Sequence, residues 1–197
     1  TIPELFKNNG YHTVGNGKIF HPGHASGAHQ QPKVPGESPK GDDAPYSWSE
    51  TFYHSPNLGY WSSKVQQPGC DGCGNSWIAV TPEAEKKTPL PGQQIADHAI
   101  SQLESFATQQ IGTVDHTQND IANPFFLAVG FHKPHLPFVA PERFYHSYPL
   151  GDIHLPADQD PPAHMPKVAW SSWGELRTYL DIAALDNTGA PGDHLPA

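Results

Sequence analysis

The sequence predicts an α/β fold, a mainly parallel sheet flanked by helices with long loops between them. Three observations predict it. In residues 93–107, Ile95, Ala96, Ala99, Ile100, Leu103, Phe106 and Ala107 recur at helical spacing on one face. Pro124 then leads into Phe125, Phe126, Leu127, Ala128, Val129, Gly130 and Phe131, a continuous apolar run of strand length. Such a run suits a strand covered on both faces of a parallel sheet, so residues 125–129 are expected as a central strand. A helix followed by that strand is half of a βαβ unit.

The other elements follow in order. Thr1-Ile2-Pro3-Glu4 has the form of a capping box with Pro in the first turn, and Asn9-Gly10 ends that helix. Residues 11–14 alternate like a strand, and Gly15-Asn16-Gly17 is expected as a glycine turn after it. Residues 24–43 are poor in large apolar groups and are expected as exposed loop, and residues 62–92 as irregular chain. Residues 141–148 can form one short helix. Ser172-Trp173-Gly174-Glu175 is a second capping box, opening a helix with Leu176, Tyr179, Leu180, Ala183 and Ala184 on one stripe.

Composition narrows the function. The formal net charge of −9 disfavours a nucleic-acid partner, because phosphate contacts need clustered Lys and Arg. No run of about 18 apolar residues is present, so no membrane-spanning helix is expected. The chain begins without Met or a signal-like segment, and its amino terminus is read as mature, processed or truncated. With 22 Pro and 18 Gly the backbone must be loop-rich, while 11% aromatic residues exclude simple disorder.

Cys70 and Cys73 form a CxxC in a Gly-rich stretch that lacks further zinc ligands and a strand-to-helix context. A local disulfide in an oxidising compartment and two free thiols both fit that pattern; the disulfide is the reading adopted.

Two short strings can carry chemistry. His132-Lys133-Pro134-His135 follows the apolar strand directly, where open α/β sheets bind ligands outside the carboxyl ends of their strands. The same residues would also serve to cap the strand and bond local carbonyls. Lys18-Ile19-Phe20-His21 likewise follows a strand-like segment through glycines that allow close backbone approach. Lys18 offers a point charge to an oxyanion, and His21 a proton donor or acceptor. An exposed Lys beside a packed His would look the same.

Taken together, four blocks are specific. Residues 1–11, Gly17-Lys18-Ile19-Phe20-His21-Pro22-Gly23, residues 42–49 and residues 124–135 resemble, in that order, sulfatases of the iduronate-2-sulfatase type. The resemblance spans most of the chain and weakens over residues 24–41 and 62–92. It implies an alkaline-phosphatase-like domain that hydrolyses sulfate esters with a formylglycine nucleophile beside Ca²⁺. By position, Lys18 matches the lysine that contacts the sulfate and the formylglycine, and His21 the histidine beside the formylglycine that helps break down the sulfated intermediate. His132 matches the histidine that binds a sulfate oxygen and protonates the leaving alcohol. Catalytic residues are thus expected at Lys18, His21 and His132, with Lys18 and His132 also binding substrate. These roles agree with elementary chemistry: cations and donors stabilise charge on the equatorial oxygens, and an alkoxide leaving group needs a general acid.

The departures are as informative. The family's Cys/Ser-x-Pro-x-Arg modification motif does not occur in the sequence. The formylglycine and the Ca²⁺ ligands are therefore expected outside residues 1–197, and no metal ligand is assigned within them. Asp193-His194 lies in a Pro/Gly tail and Asp42-Asp43 in a turn-like block, so neither is read as a metal pair. Residues 1–197 are expected to be one internal portion of a single catalytic domain, inactive alone, with the remaining segments of the same protein or a larger assembly as partner. The implied substrate is a sulfated carbohydrate such as a glycosaminoglycan uronate, met in a lysosomal or secreted setting. The rival reading is a non-catalytic, sulfatase-like structural or carbohydrate-binding component of an extracellular assembly.

Overall fold

A computed structural model describes residues 1–21, 41–57, 74–111, 124–158, 162–170 and 174–183. The chain divides into two compact units, Thr1–Pro56 with Pro91–His132, and Asn57–Leu90 with Lys133–Ala197. Cys70, Cys73, most of the 24–43 loop and the start of the second capping box lie outside the described residues.

The first unit is built on a parallel strand pair. Helix α1 (Ile2–Asn8) starts as expected: the Thr1 hydroxyl accepts from the Glu4 amide, the Glu4 carboxylate accepts from the Thr1 amine, and Pro3 is buried in the first turn. Strand β1 (His12–Gly17) pairs in parallel with β3 (Phe125–Gly130), from His12 opposite Phe125 to Gly17 opposite Gly130. The long helix α3 (Pro91–Ile111) lies between them in sequence, so the βαβ half-unit is present. Successive strand side chains point to opposite faces, and the aromatic contacts follow that rule. The Phe125 ring stacks on Phe106 of α3 at 4.6 Å, and the Phe126 ring stacks on Phe6 of α1 at 4.7 Å. Helices therefore cover both faces of the pair. Aromatic pairs of this kind contribute about 0.5–1.5 kcal/mol each beyond area burial.

Two expectations need correction here. Gly15-Asn16-Gly17 is not a turn; these residues complete β1. The rings of Trp48 and Phe52 press on Gly15, where a Cβ would stand 2.6 Å from Phe52 and 2.8 Å from Trp48. Glycine is thus required by an overlying layer and not by chain reversal. Nor is the 125–129 run a central strand among the described residues. Tyr53 bridges Asn16 in parallel on the far side of β1 from β3, so β1 is the strand with neighbours on both sides, and β3 is half-buried throughout.

The second unit contains the parallel pair β2 (Trp77–Val80) and β4 (Phe138–Pro141), with α2 (Pro82–Lys87) after β2 and α4 (Glu142–Tyr145) after β4. Val80, Leu90 and Val139 are buried together, with Ile78 and Ala84 against them. Of the stretch expected to be irregular, residues 74–92 are thus more regular than expected. The Thr81-Pro82 start of α2, with the Thr81 hydroxyl accepting from the Ala84 amide, was a legible signal. In place of the single helix expected beyond residue 175 stand a 3₁₀ turn at Leu176–Thr178 and α5 (Leu180–Ala183), separated by extended Tyr179. The Asp181 carboxylate there accepts from the Ser76 amide at 2.8 and 3.0 Å and from its hydroxyl at 2.8 Å. No described helix is long and apolar enough to cross a membrane.

Candidate active site

The carboxyl ends of β1 and β3 approach more closely than side chains would allow. Gly17 has φ +79°, and a Cβ there would lie 2.0 Å from the Gly130 carbonyl oxygen. A Cβ on Gly130 would lie 1.8 Å from the carbonyl oxygen of Lys18. Two glycines in register therefore let β1 continue past β3, and the Lys18 amide donates to the Gly130 carbonyl at 2.8 Å. Lys18 is the first residue beyond β1 and His132 the second beyond β3. Neighbouring strands stand only about 5 Å apart, so both residues leave the same end of the same sheet.

Their surroundings suit a polar ligand. Lys18 and His132 are half-buried, and His21 is exposed. Among the described residues no hydrogen bond or ion pair engages the side chains of Lys18 or His21. The backbone of residues 19–21 is equally without a described hydrogen bond; what supports it is packing of the Phe20 ring against Trp48 at 6.3 Å.

The string after β3 separates into different roles. His132 belongs to the first unit, whereas Lys133 and His135 belong to the second. The Lys133 ammonium turns back to donate to the carbonyls of His135 and Pro137, and burial pushes its pKa down to about 8. The His135 ring meets the carbonyl of Leu136 through Nδ1 at 2.7 Å, with Glu175 3.7 Å from Nε2. Local capping, one of the two readings of this string, describes Lys133 and His135.

Asn16 was missed in the sequence. It is fully buried beside Gly17, and its amide donates to Gln102 of α3 at 2.7 Å. A lone polar residue between two glycines near a strand end was the available signal. An open groove of about 820 Å³ runs along residues 50–54 and α3, past Tyr53, His98 and Gln102, and includes none of Lys18, His21 or His132. Two of its residues reach the carboxyl end of β1: the carbonyl of Tyr53 accepts from the Gly17 amide at 2.8 Å, and Gln102 accepts from Asn16.

The sulfatase family profile matches residues 1–185. This chain belongs to the sulfatase family. It is 37% identical over 198 aligned positions to iduronate 2-sulfatase of Homo sapiens, covering 100% of this chain and 31% of that protein. The Mus musculus enzyme of the same name gives the same identity and coverage. A sulfatase of Formosa agariphila is 29% identical over 160 residues, which is 80% of this chain and 26% of that relative. The chain thus spans about a third of the length of the curated relatives it matches. The α/β architecture, with parallel strand pairs flanked by helices, agrees with that membership.

The family implies a metal ion and a formylglycine. Among the described residues no three His, Cys, Asp or Glu side chains come together to hold a metal ion. The sequence contains no modification motif for a formylglycine. The described residues thus supply neither a Ca²⁺ ligand set nor a source of formylglycine, and what they offer is a cation and two imidazoles.

Proposed function

We propose that this chain is an internal portion of one sulfatase catalytic domain whose protein hydrolyses a sulfate ester, R–O–SO₃⁻ + H₂O → ROH + SO₄²⁻ + H⁺. The substrate class is a sulfated sugar, such as a glycosaminoglycan uronate. The observation that carries the reading is the register of β1 and β3, in which Gly17 and Gly130 end the two strands together and Lys18 bonds across to Gly130.

In this reading the Lys18 ammonium faces the sulfate oxygens and offsets charge that grows on them as the ester bond stretches. The His132 imidazolium gives its proton to the departing sugar oxygen, which would otherwise leave as a poor alkoxide. His21 handles the proton needed once that bond has broken. The 37% identity to iduronate 2-sulfatases supports a uronate substrate, and Cys70 and Cys73, as a local disulfide, support a lysosomal or secreted location.

The test is kinetic, on the full-length protein. His132→Ala should lower kcat on an aryl sulfate by about 10²–10⁴-fold, the usual scale for a lost general acid. KM should move far less, because a leaving-group acid acts mainly in the transition state. Lys18→Ala should lower kcat/KM on the same substrate. A natural 2-sulfated uronate oligosaccharide should be the better substrate. Wild-type turnover in the Lys18 and His132 variants would sink the site. A full-length protein that binds the oligosaccharide and never turns it over would favour the non-catalytic reading.

A further inference from the structure

We propose that Trp48 is a positioning residue for the sulfate-ester site, locked in place by Asp42 so that its indole carries Phe20 and thereby sets the orientation of residues 18–21. The inference rests on the catalytic reading of Lys18 and His21 given above. Its own basis is a closed set of contacts in the first unit. The indole of Trp48, 4% exposed, donates from Nε1 to the carbonyl of Asp42 at 2.6 Å. The Asp42 carboxylate meets Nε2 of His54 at 2.7 Å. Between those two ends runs a row of rings: Trp48 lies 5.4 Å from Phe52, and Phe52 4.9 Å from His54. Asp42 thus binds both ends of one aromatic row, one with its backbone and the other with its side chain.

The row is fixed from beneath as well. Trp48 and Phe52 rest on Gly15 of β1, and the carbonyl of Trp48 accepts from the Lys7 ammonium at 2.5 Å. Ser49 donates its amide to the Thr13 carbonyl at 2.8 Å. What this rigid block meets at its far end is Phe20, at 6.3 Å between ring centroids. The start of the site loop is held by the bond from Lys18 to Gly130, but residues 19–21 have no described backbone hydrogen bond. Packing of Phe20 on Trp48 therefore supplies the second fixed point. A loop with one fixed point can pivot about it, and a catalytic group misplaced by about 1 Å can lose up to 10²-fold in rate.

The experiment uses the full-length protein with an aryl sulfate and compares Trp48→Phe, Trp48→Leu, Phe20→Ala and the Trp48→Leu/Phe20→Ala pair. The expected result is a fall in kcat of about tenfold for Trp48→Leu and for Phe20→Ala, with KM within about threefold. The double variant should lose no more than the worse single one, because both act through one contact. Trp48→Phe, which keeps a ring over Gly15 and loses the bond to Asp42, should fall between wild type and Trp48→Leu, and Phe20→Ala decides the matter if Trp48→Leu does not fold. Wild-type kcat in folded Trp48→Leu or Phe20→Ala, or multiplicative losses in the double variant, would overturn the proposal. Lys18→Ala and His21→Ala serve as the separate control. If they abolish turnover while the Trp48 variants do not, only the positioning role fails; if they too leave turnover intact, the catalytic reading fails first.

Discussion

The amide of Lys18 donates to the carbonyl of Gly130 at 2.8 Å, one residue beyond the last aligned pair of β1 and β3. That bond exists because residue 130 has no side chain. A Cβ there would stand 1.8 Å from the Lys18 oxygen and 2.4 Å from its carbonyl carbon, and backbone cannot swing aside as a side chain can. Gly130→Ala is therefore expected to cost about 3 kcal/mol, the upper end for forced overpacking. Gly92→Ala is the control: its Cβ would meet nothing closer than Phe131 at 3.9 Å, at the start of α3. It should be neutral or stabilising by up to about 1 kcal/mol. Denaturant midpoints of the two variants check this, and equal losses would contradict it.

The pair His54–Asp42 should make stability depend on pH. The hydrogen bond to the Asp42 carboxylate raises the His54 pKa above its ordinary value, partial burial opposes that, and the Asp42 charge adds to it. A folded pKa above the unfolded one means the stabilisation is complete below about pH 6.5 and is lost as pH rises through the folded pKa. His54 is half exposed, so the effect should stay below about 1 kcal/mol. Urea midpoints should fall between about pH 5.5 and about pH 8, and Asp42→Asn should flatten that slope. A slope unchanged in Asp42→Asn would assign it to other groups.

In the second unit, Asp181 is expected to matter more than its half-buried position suggests. It satisfies both the amide and the hydroxyl of Ser76, a residue only 5% exposed. Asp181→Ala leaves a buried donor without an acceptor, which costs about 1–3 kcal/mol. Hydrogen exchange of the Ser76 amide should quicken in the variant. Unchanged protection would show that the contact contributes little.

The 197-residue chain by itself is expected to show no sulfatase activity with Ca²⁺ supplied, since it carries no modification motif. The purified chain assayed with an aryl sulfate checks this. Turnover abolished by His132→Ala would overturn it and would mean that these 197 residues suffice.

Much of the first unit was legible because its signals are local. The Thr1/Glu4 capping box is a matter of three-residue spacing, and the 93–107 helix and the 125–130 strand declare themselves by periodicity and by an unbroken apolar run. Lys18 and His132 were likewise readable as residues just beyond strand ends. By itself the sequence determined the first helix, the long helix and the apolar strand of the first unit, the absence of a formylglycine motif and the family. The tertiary structure decided the rest, because it depends on partners distant in the chain. Gly15 belongs to a strand because it pairs with Ala128, and it is glycine because Trp48 and Phe52 lie over it, neither of which any window around residue 15 can reveal. β2 and β4 are only four residues long, and pairing with each other is what makes Trp77–Val80 and Phe138–Pro141 strands. Lys133 and His135 looked equal to His132 in sequence. Only the folded chain turns the first two onto nearby carbonyls, and only it brings Lys18 and His132 to the same end of one strand pair, because register across a sheet is fixed by hydrogen bonds between segments more than one hundred residues apart.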